Sequence, residues 1–190
     1  SYAERGANSS MSRWRFNGGR MTREHMQFLA DSIRKYNLQH VHFTTGQCLQ
    51  MHGLDGDTIL NLFKECHEHG IYNRGAGGDN PNVVASILRG IDPRETLDIT
   101  PYAAAISEFL MEQMFYIKLP RKFKMAIDNG FDSTPHTTFK DLGFNLTKYN
   151  TFDVYACGGL GPNPRMGIPV AHDVQPEDVL YHVKAMLMVF

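Results

Sequence analysis

The chain has 190 residues, 42% of them hydrophobic, which is enough apolar content to bury one core or two small ones. No apolar run approaches the roughly 20 residues of a membrane-spanning helix, and Ser1-Tyr2-Ala3-Glu4-Arg5-Gly6 lacks the charged-then-apolar layout of a secretory signal, so a cytoplasmic setting is expected. A formal net charge of -1 gives no global attraction to nucleic acid or anionic lipid, and any anion site must come from a local cluster of cations.

Residues 1–12 are polar and without periodicity and read as an arm or linker. Arg13-Trp14-Arg15-Phe16 alternates basic and aromatic side chains before Asn17-Gly18-Gly19, the pattern of a short strand entering a turn with both arginines on one side. Thr22 is placed to cap a helix in which Met26, Leu29, Ile33 and Tyr36 recur at helical spacing and which Asn37 ends. Val41 to Thr45 and Cys48 to His52 read as two strand pieces with a kink at Gly46. Asp57 is expected to cap a helix whose Ile59, Phe63 and Cys66 share a face, with Gly70 closing it. Strand, helix, strand, helix over this stretch describes a small α+β unit.

The glycine-rich stretch from Arg74 to Asn82 reads as a loop bringing bare backbone close to something, and it lacks the Gly-Lys-Ser/Thr ending of a nucleotide loop. Thr100-Pro101 starts a helix carrying Ile106, Phe109, Leu110 and Gln113. Lys122 to Ile127, Leu142 to Leu146 and Phe152 to Cys157 are three strand-like runs suggesting one sheet. After the backbone-rich loop Gly158 to Pro164, Pro176 begins a last helix with Val179, Leu180, Val183, Met186, Leu187 and Phe190. Its final turn has no closing residue, so the natural chain is expected to run on.

Cys48, Cys66 and Cys157 are far apart and read as reduced thiols, too few and too scattered for a [4Fe-4S] cluster. His67 and His69 diverge on a helix, and no metal site is assigned there or elsewhere. Lys122 and Lys124 occupy one face of a pleat, with Arg121 on the other. Two ammonium groups held side by side repel unless an anion lies between them. The segment is therefore either a solvated basic edge strand or an oxyanion site whose lysines also donate protons, with Arg13 and Arg15 able to complete it.

Four blocks, in order, carry a resemblance: Arg13 to Thr22, Thr44 to Gly53, Leu119-Pro120-Arg121-Lys122-Phe123-Lys124, and Val154 to Pro164 with Gly158-Gly159-Leu160-Gly161-Pro162. Together they resemble the amino-terminal half of the sirohaem-dependent nitrite/sulfite reductases. That resemblance implies an α+β fold. Residues 1–12 would be a flexible arm, 13–70 a small ferredoxin-like (parachute) half-domain, and 71–190 a mixed-sheet portion of the sirohaem domain with flanking helices, truncated before the cluster cysteines. It implies sirohaem as cofactor, a [4Fe-4S] cluster only with cysteines absent from this chain, and sulfite or nitrite as substrate. Lys122, Lys124 and Arg15 would contact the anion and deliver protons, while Arg13, Thr45, Gln47, Gln50, His52, Asn80 and Arg121 would face the macrocycle or its carboxylates. For Gln50 and His52, plain strand alternation is the alternative reading.

Two positions depart from the family pattern. Gly46 stands where an arginine usually follows the paired threonines, and Pro81-Asn82 follows Gly78-Asp79-Asn80 where the family has any residue and then Arg-Asn. Arg74 and Arg89 are the candidates to substitute. The resemblance implies an oxidoreductase family in which this chain alone is inactive. It further implies an electron-donor protein and a carboxy-terminal half, second subunit or homo-oligomer as partners, with no nucleic acid or membrane. A non-catalytic tetrapyrrole- or anion-binding module, or a partner subunit derived from the family, is the alternative.

Overall fold

The computed structural model of the chain describes residues 2–4, 6, 8–73 and 82–190. It divides into two compact units, residues 1–80 and 81–190.

The first unit contains β1 (Tyr2–Ala3), β2 (Ser10–Arg15), α1 (Arg23–Lys35), β3 (Val41–Phe43), β4 (Cys48–Leu54) and α2 (Gly56–Glu68). Its antiparallel sheet has the order β1-β2-β4-β3. Alternation along the strands sends Trp14, Leu49 and Met51 to one face, where they pack on Phe28 and Leu29 of α1 and Ile59, Leu62 and Cys66 of α2. Trp14 stacks on Phe28 with ring centroids 5.2 Å apart. Thr22 caps α1 as its sequence implies, accepting from the His25 N–H while the His25 ring accepts from the Thr22 N–H. Both helices close on a left-handed residue, Asn37 at φ 47° and Gly70 at φ 65°, followed by Leu38 N–H to Ile33 O and Ile71 N–H to Cys66 O. Glu65 ties the helix ends together by accepting from Lys35 and Tyr36.

Several details differ from the sequence expectations. Tyr2–Ala3 and Ser10–Ser12 pair into the sheet, so the opening read as an arm contributes two strand segments; backbone pairing, not apolar content, recruits it. Thr44 to Gln47 is a hairpin turn rather than a kink, closed by Gln47 N–H to Thr44 O, with Gln47 at φ 52°. The cap of α2 is Asp55, which accepts from the Thr58 N–H, and not Asp57. On α1, Phe28 joins the buried stripe while Met26 lies exposed.

The second unit contains β5 (Asn82–Ala85), α3 (Thr100–Gln113), β6 (Lys124–Asp128), a 3-10 turn at Thr137–Phe139, β7 (Leu142–Leu146), β8 (Phe152–Ala156), β9 (Ile168–Val174) and α4 (Val179–Val189). The sheet order is β5-β6-β7-β8-β9, with β5, β6 and β7 parallel and the remaining pairs antiparallel. Val83, Ala85, Met125, Ile127, Leu142, Phe144, Phe152 and Val154 pack on Ile106 and Leu110 of α3 and Val183 and Leu187 of α4. The opposite face is closed by the connection from β6 to β7: a Cβ on Gly143 would lie 2.0 Å from the Thr137 carbonyl oxygen. Strand order advances in one direction while the two crossovers pass on opposite faces. They therefore have opposite hands, and one departs from the usual right-handed rule.

A buried carboxylate holds that second crossover. Asp128, at the end of β6, accepts from the Gly130 N–H at 3.0 Å, the Thr137 hydroxyl at 3.0 Å and the Leu146 N–H at 3.2 Å. The Asn145 amide, turned with its nitrogen toward Asp128, lies 2.7 Å from both oxygens. Ser86 continues the network, accepting from the Asn129 N–H and donating to the Asp132 carbonyl.

β5 and β9 have no counterpart in the sequence reading, and Asn82, read as loop, begins β5. The N-cap of α3 is Ile99 rather than the expected Thr100, and Asp98, two residues before Thr100, accepts from the Thr100 N–H. β6 begins at Lys124, leaving Arg121 and Lys122 in the approach to the strand, and Phe123 is fully buried against the Phe190 ring.

Candidate functional site

In the first unit, the face of the sheet opposite α1 and α2 carries the expected polar residues. Arg13 pairs with Gln50, Arg15 with Cys48, and His42 with Gln50 across the strands, so the β2 and β4 blocks meet on one surface. Arg15 is 5% exposed, and burial lowers its guanidinium pKa from the ordinary value, with Arg13 adding to the effect and Cys48 opposing it. Its backbone is fixed by exchange of both hydrogen bonds with Tyr72. Arg13 keeps a buried Nε without a hydrogen-bond partner among the described residues. A cationic face with such an orphaned donor suits a ligand bearing carboxylates.

The remaining expected residues of this unit are less uniform. Thr45 is exposed at the hairpin turn. Gln47 lies across the Asn17–Gly19 turn, where a Cβ on Gly19 would come within 2.4 Å of its Oε1, so this side chain braces two turns. His52 is engaged by β1's neighbour Glu4, with Nδ1 2.7 Å from the carboxylate, and its ring stacks on His40. Glu4 also accepts from the Ser9 hydroxyl and the Gly53 N–H, and these contacts, Ser9 first, hold its pKa down to about 2. A carboxylate depressed in the folded state stabilises at pH above its unfolded value, here 4.5, and loses that contribution as pH falls toward 2. The pairing of Tyr2 with Met11 is therefore expected to loosen over that window, seen as faster amide exchange in β1, and Glu4→Gln should abolish the pH dependence. An identical profile in the variant would show that Glu4 does not strap β1.

In the second unit, Arg121, Lys122 and Lys124 are exposed at the amino-terminal end of β6. The Lys124 N–H donates to Asp141 Oδ2 at 2.7 Å. The glycine block comes to the same end of the sheet: the Cys157 N–H donates to Asp141 O and the Gly158 N–H to Lys140 O. A Cβ on Gly158 would lie 2.6 Å from Phe139 Cα, which explains glycine there as a requirement of close backbone approach. The third and fourth sequence blocks are thus joined through residues 139–141. Lys140, which the sequence reading passed over, is half-buried beside Lys124; burial lowers its pKa first, and the Lys124 charge lowers it further. Its signal was available only as a lysine before Asp141, with nothing linking it to the block that ends at Lys124.

Of the other expected residues, Asn80 lies outside the described residues, as does Arg74. Arg89 donates to the Ser86 carbonyl beyond the carboxyl end of β5, whereas Lys124 pairs with Asn82 at its beginning, so Arg89 does not join the lysines. The thiols do not suit a cluster: Cys48 and Cys66 are buried in the first unit, burial pushes the Cys66 pKa up, and Cys157 is exposed in the second.

A ferredoxin-like half unit, a mixed sheet and cations at strand ends define a class, and sequence comparison identifies it. The chain belongs to the nitrite and sulphite reductase family: the family model for the nitrite and sulphite reductase 4Fe-4S domain matches residues 76–190, and that for the nitrite/sulfite reductase ferredoxin-like half domain matches residues 3–69. The ferredoxin--nitrite reductase of Spinacia oleracea, a chloroplastic protein, is 29% identical over 95% of this chain and 32% of its own length. Sulfite reductase [ferredoxin] 1 of Mycolicibacterium paratuberculosis is 26% identical over 88% of this chain and 31% of its own length. The NirA protein of Mycobacterium tuberculosis has the same fold, with a TM-score of 0.80 at 24% identity over 97% of this chain and 34% of that one. The chain therefore spans about a third of the length of the relatives it matches. Among the described residues, no helix is long and apolar enough to cross a membrane.

Proposed function

We propose that the chain is the amino-terminal half of a sirohaem- and [4Fe-4S]-dependent reductase of sulfite or nitrite. The observation that carries this reading is the concentration of cations on and just before strands: Arg13 and Arg15 on one sheet face of the first unit, and Arg121, Lys122 and Lys124 at one sheet end of the second. Family membership supports it, as do the activities in the relatives' names.

Sirohaem, when bound, supplies an iron centre that accepts electrons and passes them to a coordinated oxyanion. This chain's residues do the rest of what is proposed for it. Arg13 and Arg121 neutralise ring carboxylates, with Gln50 and Asn80 supplying neutral donors. Thr45, Gln47 and His52 would face the macrocycle, His52 being held by Glu4 in this structure. Arg15, Lys122 and Lys124 hold the substrate anion, and the two ammonium groups can also yield protons as oxygen is removed from it. The cluster does not fit the thiols present, so its ligands belong to a further part of the protein or a second subunit, and an electron-donor protein is required. We take residues 13–70 and 71–190 as the two working parts and a cytoplasmic setting as the one that keeps the thiols reduced.

Gly46, which removes a cation from the hairpin turn, favours a second reading: a tetrapyrrole- or anion-binding module, or a partner subunit, without turnover of its own.

The test is visible absorption of the purified chain before and after addition of sirohaem. The expected result is a Soret band that follows the protein on a sizing column and is lost in an Arg121→Ala/Lys122→Ala/Lys124→Ala variant. A charge-assisted contact contributes about 1.5–3 kcal/mol, so loss of the Arg121 contact alone should weaken sirohaem binding by about 10- to 100-fold. A folded protein that takes up no sirohaem would end the reductase reading for this chain.

A further inference from the structure

The geometry points to Lys140 as a second anion-holding lysine, one that works as a pair with Lys124 to grip a carboxylate or small oxyanion at the amino-terminal end of β6. This inference rests on the reductase reading and names a residue for the same site.

Three observations carry it. The segments 121–124, 139–141 and 156–159 converge at one end of the sheet and hold four cations, Arg121, Lys122, Lys124 and Lys140, against one carboxylate, Asp141. That carboxylate is already committed, since its Oδ2 accepts the Lys124 N–H at 2.7 Å. It therefore fixes the backbone of one lysine and only partly offsets the charge of the other.

Second, the backbone that carries Lys140 is held in place at this end of the sheet. The Gly158 N–H donates to its carbonyl, the Cys157 N–H donates to the next carbonyl, and its ammonium lies 5.3 Å from the centroid of the Phe139 ring. His136 also stacks on the Phe139 ring, with centroids 4.7 Å apart. A lysine on a solvated surface would adopt many rotamers and keep its distance from a like charge. This one is half-buried within electrostatic reach of Lys124; burial and the Lys124 charge lower its pKa, and Asp141 opposes them in part.

Third, the cost of that arrangement is recovered when an anion sits between the two ammonium groups. Repulsion becomes two attractive contacts, and the partial desolvation of Lys140 strengthens its own. The candidate arginine on the same unit, Arg89, is fixed at the other end of β5 and cannot serve.

Two sources present the required chemistry: the substrate anion, and a carboxylate of the tetrapyrrole. The test uses the full 190-residue chain, with Lys124 and Lys140 ammonium signals assigned by side-chain nitrogen NMR, and two separate additions, sodium sulfite and sirohaem. Sirohaem affinity is read in parallel from the Soret band. The expected result is that both ammonium signals shift together on one of the additions. Lys140→Met, which keeps an apolar stem on Phe139, should weaken that same binding by about 10- to 100-fold, and Lys140→Arg should restore it. Response to sulfite alone assigns the substrate; response to sirohaem alone assigns a ring carboxylate. If Lys124 shifts while Lys140 does not, or if a folded Lys140→Met chain binds both probes as tightly as the wild type, the inference falls and the reductase reading stands. If neither lysine responds to either probe, both fall.

Discussion

Replacing Gly143 by alanine is expected to be among the most damaging single changes in the second unit, lowering its stability by ~3 kcal/mol and its unfolding midpoint by roughly 10 °C. The added Cβ would lie 2.0 Å from the Thr137 oxygen and 2.6 Å from its carbonyl carbon. Both are main-chain atoms of the crossover that covers this face, so no side-chain rotation relieves the clash. Either β7 or the Thr137–Phe139 turn has to move. The turn leads directly into Lys140 and Asp141, and the same variant is therefore expected to weaken any binding that depends on Lys140 even at temperatures where it remains folded. Thermal unfolding followed by circular dichroism checks the first effect, and an unchanged midpoint would show that the crossover is not seated on Gly143 as described.

A comparable loss is expected from Asp128→Ala. The carboxylate is 4% exposed and accepts two backbone N–H groups and one hydroxyl, all of which would be left unmatched. A buried donor stripped of its acceptor costs about 1–3 kcal/mol, and breaking a buried charged network costs about 3–5 kcal/mol. Asp128→Asn should be much milder, within about 1.5 kcal/mol. Its carbonyl retains the Gly130 and Leu146 donors, and its amide faces Asn145, whose own amide turns over to accept. The pH behaviour separates the variants further. Burial raises the Asp128 pKa above 3.8 and outweighs the hydrogen bonds, so its contribution is complete below the unfolded value and declines as pH rises through the raised one. Asp128→Asn removes that decline. Chemical denaturation at several pH values measures it, and equal losses in the Ala and Asn variants would refute the assignment of Asp128 as the acceptor at the centre of the network.

How much of this was legible in the sequence depended on the range over which each feature is decided. The capping role of Thr22 and the stops at Asn37 and Gly70 are settled within one helical turn, and local residue chemistry is sufficient for them. The same holds for the alternation that buries Trp14 and turns Arg13 and Arg15 to the other face. The failures are non-local. β1 has two residues and no apolar pattern, and exists because the edge of β2 accepts it. β9 contains Pro169 and leaves Ile168 and Val170 exposed, so neither hydrophobic alternation nor burial marks it, and its place follows from pairing with β8. Gly46 suggested a kink, whereas the reversal is completed by the positive φ of Gln47, a residue type with no particular liking for it. Lys140 illustrates the limit for the site. Its meaning depends on β6 and β7 lying parallel with Met125 opposite Leu142, a register no local pattern specifies.

In the second unit, the cations proposed to meet the anion or the ring carboxylates, Arg121, Lys122, Lys124 and Lys140, all stand at or before the first residues of strands, while Asp128, Gly143 and Gly158 hold the backbone from within or beneath the sheet. Recognition and folding thus draw on separate sets of positions. A lineage could exchange the cations one at a time, and so retune which anion is held, with little penalty to the core. The glycines and the buried carboxylate have no such freedom, and it is they, more than the charges, that would persist as the mark of common descent.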